Sequence, residues 1–163
     1  MICLPEKKLP ALTKAMNFLA MRPLSELELL AKLRKAGYPD FEADAAIEEC
    51  KKRHYLDDTL LANDCVDILH MRNMGTRQIK QKLLKRGLDA ETINEKLSQT
   101  SEDELEAAQR ALETKLRMLR NEKDPRKKRE KLFRFLNSRG FAPGLIFQLL
   151  DKIALTSNED EYY

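Results

Sequence analysis

The sequence predicts an all-α protein built from three tandem three-helix repeats in an elongated arrangement. Leu29-Leu33-Gly37, Ile79-Leu83-Gly87 and Leu132-Leu136-Gly140 each set two apolar residues, one helical turn apart, ahead of a glycine. Each glycine is followed at matching positions by a further apolar pair: Ala43 and Ile47, Ile93 and Leu97, Ile146 and Leu150. Charged residues make up 35% of the chain and apolar ones 42%, with no Trp, which suits helices with modest cores and wide polar surfaces. Spacings of three and four are helical, and self-similarity at a fixed period marks a repeat architecture.

In the first repeat, Leu12, Ala15, Met16, Leu19 and Ala20 form the apolar stripe of a helix ending near Arg22-Pro23. Ser25, with Glu28 three residues on, forms the capping box of a second helix, which turns Leu29, Leu30 and Leu33 inward and stops at Gly37. Asp40 then caps a third helix carrying Ala43, Ile47 and Cys50. In the second repeat, Ala62, Val66, Leu69 and Arg72 take the places of Leu12, Met16, Leu19 and Arg22, and Gly75 that of Ser25. In the third, Leu112, Leu116 and Leu119 keep the register, but the following helix is displaced by an insertion assigned to a loop around Asp124-Pro125-Arg126.

Apolar residues before the caps act as staples: Leu88 ahead of Asp89 folds over Ile93, Phe141 ahead of Ala142-Pro143 over Ile146, and Leu56 ahead of Asp57 over Leu61. The chain then divides into an extension at 1–10, repeats at 11–56, 57–100 and 101–155, and an acidic tail at 156–163 read as disordered.

Charge is polarised along the chain. Six Lys or Arg and no acid lie between Arg72 and Gly87, and eleven against three between Lys115 and Arg139, although the net charge is only +3. A protein of tandem repeats binds something extended more readily than it houses a catalytic pocket. The three cysteines form no CxxC pair, so a reduced cytoplasmic setting is expected; no stretch reaches the roughly 20 apolar residues of a membrane span. Cys50 and His54, with Cys65 and His70 nearby, have no recognised metal spacing, so packing or solvated roles are expected of both histidines. No metal, cofactor or catalytic constellation is predicted.

The string Arg53-His54-Tyr55-Leu56-Asp57-Asp58 is the most distinctive local sequence. With Ile79, Leu83 and Arg86-Gly87-Leu88 in the second repeat, and Leu136, Arg139-Gly140-Phe141 and Ile146 in the third, it resembles the signature of the RecX family, bacterial regulators of the RecA recombinase. The resemblance implies a curved molecule. It also implies binding in the groove of the RecA filament on single-stranded DNA, limiting ATP hydrolysis, strand exchange and coprotease activity, with a place in DNA repair, recombination and the SOS response. Single-stranded DNA itself would be bound weakly or indirectly, and the protein would act as a monomer without chemistry of its own.

Candidate partner contacts are the basic faces Arg72, Arg77, Lys80, Lys82, Lys85 and Arg86, and Lys127, Lys128, Arg129, Lys131, Arg134 and Arg139. The signature residues Tyr55, Leu56, Asp57 and Asp58 read as structural, with the tyrosine closing the junction of the first two repeats. Gly37, Gly87 and Gly140 read as helix ends. Phe133 and Phe135 are expected to pack between repeats, with base stacking as the alternative. Two rival functions stand beside the filament reading. One is a helix-turn-helix-like nucleic-acid binder using Arg77, Gln78 and Gln81, which Glu26 and Glu28 at the first repeat's equivalent helix oppose. The other is a helical adaptor joining two proteins through unlike end repeats.

Overall fold

The computed structural model describes residues 9–159, apart from the side chains of Ser101 and of residues 154–159. Most of the extension at 1–10, including Cys3, and the tail's Tyr162-Tyr163 lie outside the described residues. Among those described there are nine helices and no strand. They are α1 (Ala11–Met21), α2 (Glu26–Lys35), α3 (Asp40–Lys52), α4 (Asp58–Met71), α5 (Thr76–Lys85), α6 (Ala90–Gln99), α7 (Ser101–Met118), α8 (Pro125–Ser138) and α9 (Pro143–Glu159). The tail's opening residues 156–159 are therefore helical rather than irregular.

Each consecutive trio buries its own core. Leu29, Leu33, Ala43, Ile47 and Cys50 meet in the first. Val66, Ile79, Leu83, Ile93 and Leu97 meet in the second, and Leu132, Leu136, Phe141, Ile146 and Leu150 in the third. These are the residues flanking the three repeated glycines, so the pattern and the cores have one cause: a helix presents one face per turn, and the glycine reverses the chain so that the next face returns to it. The glycines at 37, 87 and 140 have φ of 82°, 81° and 89°. That left-handed geometry favours residues without a Cβ.

The capping box at α2 forms as read: the Glu28 N–H donates to Ser25 Oγ at 3.1 Å, and the Ser25 N–H donates to Glu28 Oε2 at 3.0 Å. Asp89 caps α6. Asp40 does not cap α3; Pro39 holds that position and Asp40 is already helical, its carboxylate accepting from Arg34 at 2.8 Å. The third-repeat insertion falls only partly in the loop. The connection 119–124 is longer than those at 22–25 and 72–75, and Asp124 caps α8 and Pro125 begins it, so that helix is lengthened too, proline being well suited to a first turn.

Leu30 and Met16 are not core residues either. Leu30 is half-buried at the edge of the first cluster and Met16 is exposed. Leu56 packs into the first core whereas Leu61 belongs to the second, so the staple proposed between them does not form. The pairs Leu88 with Ile93 and Phe141 with Ile146 do share a core.

Candidate partner-binding faces

The basic side chains that the sequence offers as contacts fall into two groups, one holding the units together and one facing solvent. Arg86 belongs to the first. Its guanidinium donates to both carboxylate oxygens of Glu28, at 2.8 and 3.2 Å, to the Pro23 carbonyl at 3.0 Å and to Cys65 Sγ at 2.9 Å. Burial alone would raise the Glu28 pKa. Hydrogen bonds from Arg86, the Ser25 backbone and Arg22 overcome it and bring the carboxyl down to about 2. The same bond to Glu28 raises the pKa of Arg86.

Arg139 repeats the device one unit later, donating to the carbonyls of Arg72 and Asn73, both at 3.1 Å. Pro23 and Asn73 occupy equivalent places in their repeats, as do Arg86 and Arg139. Each arginine thus grips the first loop of the preceding unit. The first repeat carries Ala36 at that position.

Small residues let the backbones close beneath these clasps. The Ser25 hydroxyl donates to the Arg86 carbonyl. At the equivalent place the Gly75 N–H donates to the Arg139 carbonyl at 2.9 Å, and the Arg77 N–H to the Gly140 carbonyl at 3.1 Å. A Cβ on Gly75 would stand 2.3 Å from the Phe141 nitrogen, and one on Gly140 would stand 2.4 Å from that of Gln78. Arg77 and Gln78 are drawn into the same junction, through Asn137 Oδ1 at 3.1 Å and the Ser138 carbonyl at 3.3 Å. Two of the three side chains needed for groove readout by α5 are therefore occupied.

Arg86, Arg139 and Arg77 thus each hydrogen-bond to a neighbouring unit of the chain. Lys80 is half-buried and donates to Asn94 at 2.7 Å. Lys82 and Lys85 are exposed on α5 and form no ion pair among the described residues; the Arg72 side chain is exposed as well. On α8, Arg129 pairs with Asp151 at 2.7 Å, Arg134 with Glu130 at 3.1 Å, and Lys131 with Glu122. Lys127 stands 4.0 Å from Asp124, while Lys128 makes no ion pair among the described residues.

The aromatics do not pack between repeats. Phe135 lies under Lys115 and Arg139, 5.1 and 5.0 Å from its ring centre, and so braces the clasp arginine. Phe133 meets Phe147 of α9, with ring centres 5.1 Å apart and planes tilted by 33°. Together with Arg126, Arg129, Glu130 and Leu150 they line an open groove of about 340 Å³. Neither Arg126 nor Phe147 stood among the sequence candidates. Phe147 is 48% exposed beside the buried Ile146, and a helical projection of α9 would have exposed it.

The signature string has structural work that only partly matches expectation. Tyr55 is 52% exposed and closes no junction. Asp57 caps α4, accepting from the Leu60 N–H at 2.9 Å. Asp58 reaches away from its own helix end and accepts from the Glu26 N–H of α2 at 3.0 Å. Burial raises its pKa, against that bond.

His70 is buried between α4 and α7 with no hydrogen-bond partner on either ring nitrogen. Burial lowers its pKa, with Glu104, Asp103 and Asp67 acting in the opposite sense and Arg110 in the same one. Cys50 is buried while His54 is exposed, so the two do not share a site. Among the described residues no group of three or more His, Cys, Asp or Glu is placed to hold a metal ion, and no helix is long and apolar enough to cross a membrane.

Comparison with known proteins adds identity to this geometry. Residues 102–150 match the model of the third three-helix domain of RecX, and residues 11–50 that of the first. The regulatory protein RecX of Chlorobaculum tepidum is 33% identical over 136 residues, covering 83% of this chain and 82% of that protein. That of Clostridium beijerinckii is 29% identical over 166 residues, covering 94% and 78%. The crystal structure of RecX from Lactobacillus salivarius superposes with a TM-score of 0.81 at 20% identity, over 89% of this chain and 95% of that one, a likeness of fold.

Proposed function

The chain belongs to the RecX family of regulatory proteins, and we propose that it binds the RecA filament on single-stranded DNA and restrains its ATP hydrolysis, strand exchange and coprotease activity. The observation that carries the reading is membership of this family over most of the chain's length. The clasped architecture supports it physically. A filament groove repeats along its axis, and units fixed in register by Arg86 and Arg139 can touch successive protomers, each contact raising the effective concentration of the next.

On this reading the regulator needs no catalytic group, since occupying the groove is enough. The partner-facing charges on this reading are Lys82 and Lys85 on α5 and Arg126 and Lys128 on α8, which form no ion pair among the described residues, with Lys127 beside them. Their attraction to acidic protomer surface or phosphate should weaken as salt rises. The commitment of Arg77 and Gln78 to a unit junction counts against the helix-turn-helix alternative.

The test is ATP hydrolysis by the recombinase on single-stranded DNA, titrated with the wild-type chain and a Lys82→Glu, Lys85→Glu, Lys127→Glu, Lys128→Glu variant of equal helix content. Inhibition by the wild type that the variant loses supports the proposal. Equal inhibition by both removes these faces from it, and no inhibition by either refutes the function.

A further inference from the structure

We infer that the groove between α8 and α9 is a stacking subsite for an unpaired nucleobase, through which the third unit holds single-stranded nucleic acid directly. This goes beyond filament binding, because it requires no recombinase. Three features of the groove point to that ligand. Its floor is aromatic and accessible: Phe133 and Phe147 lie in contact, and Phe147 remains 48% exposed. Leu150 and the side chains of Arg126, Arg129 and Glu130 complete the lining. Its volume of about 340 Å³ falls within the range of small-ligand clefts.

Charge decides between a base and other flat or apolar ligands. Arg126 and Arg129 line the groove from α8 and offer positive charge to a phosphate at its edge. Inside the slot the balance differs. Glu130 lines it, and Asp151 holds Arg129 at 2.7 Å from the α9 side, so part of that positive charge is neutralised. A neutral π face is accommodated there, whereas the carboxylates of an acidic peptide would meet two of the same sign. Base on the phenylalanines and phosphate on Arg126 is the arrangement by which aromatic and basic side chains together hold single strands.

The experiment compares binding of the full chain, without recombinase, to an end-labelled oligothymidylate and to an abasic strand of the same length, followed by fluorescence anisotropy. Wild type should prefer the base-bearing strand by about tenfold, the worth of a stacked base. Phe147→Ala should bind both strands equally, at the wild type's affinity for the abasic one. Phe147→Trp should keep the preference, and its indole emission should be quenched by the oligothymidylate and not by the abasic strand. Arg126→Glu should weaken both strands alike.

Equal binding of the two strands by wild type overturns the inference, as does a preference that survives Phe147→Ala. Displacement of the strand by a glutamate-rich, phenylalanine-bearing peptide at lower concentration than by unlabelled oligothymidylate reassigns the groove to protein, and also overturns it. Should Phe147→Ala not fold, unquenched emission from Phe147→Trp under saturating strand is enough to reject it. Because no recombinase is present, none of these outcomes bears on filament regulation.

Discussion

Arg86→Met removes the clasp between the first two units while keeping much of its apolar stem. The magnitude follows from Glu28, whose carboxyl titrates at about 2 rather than 4.5. At about 1.4 kcal/mol per pKa unit, that favours its ionised form by ~3 kcal/mol at neutral pH. Arg86 supplies the largest share of the hydrogen bonding behind the shift, and the pair is little solvated, with side chains 24% and 21% exposed. Ser25 and Arg22 still hold the carboxylate in the variant, so the expected loss is ~2 kcal/mol at pH 7. The sign with pH is fixed: the folded pKa of Glu28 is depressed, so its contribution is present above pH 4.5 and is lost as pH falls towards 2. Urea unfolding followed by circular dichroism, at pH 7 and again near pH 2.5, reads both quantities. The gap between wild type and variant should narrow at the lower pH, and Lys85→Met, an exposed neighbour without an ion pair among the described residues, should cost less than ~0.5 kcal/mol. A gap below ~0.5 kcal/mol at pH 7, or one unchanged by acid, refutes the clasp.

Gly140→Ala is expected to destabilise by at least ~2 kcal/mol in thermal or urea unfolding, since φ is +89° and the new Cβ would meet the Gln78 backbone. Gly144→Ala, with open space around it and helical neighbours, should stabilise by ~0.5 kcal/mol in the same assay. His70→Leu should raise the melting temperature, because it replaces ring nitrogens that have no partner. It should also flatten the pH profile. Burial keeps the folded pKa of His70 below its ordinary 6.5, so wild-type stability falls as pH drops below that value while the leucine variant is spared. A parallel decline in the two proteins between pH 7 and 5 contradicts that role.

Local chemistry was legible in the sequence, and contacts between units were not. The Ser25 box, the three left-handed glycines and the cores around them depend on residues within one unit, whose spacing the chain displays directly. The structural role of Asp58 is legible but its partner is not, since its acceptor oxygen serves an N–H thirty-two residues earlier, while Asp57 next to it caps the local helix. Arg86 and Arg139 stand among the candidate partner contacts for the same reason: the groups they bond to lie a full repeat upstream. A signal was nevertheless present. Arginine stands immediately before the helix-ending glycine in both the second and the third repeat, a recurrence expected of a side chain with one role in each unit. The Phe133 and Phe147 groove joins two helices whose relative rotation no spacing rule supplies.

Filament binding is tested most directly by measuring association of the labelled chain with assembled recombinase on single-stranded DNA and with the same DNA bare, at two salt concentrations. Binding to the filament at concentrations that leave bare DNA unoccupied, weakening with salt, is the predicted result. Binding that follows the DNA alone, unchanged by adding recombinase, would contradict it.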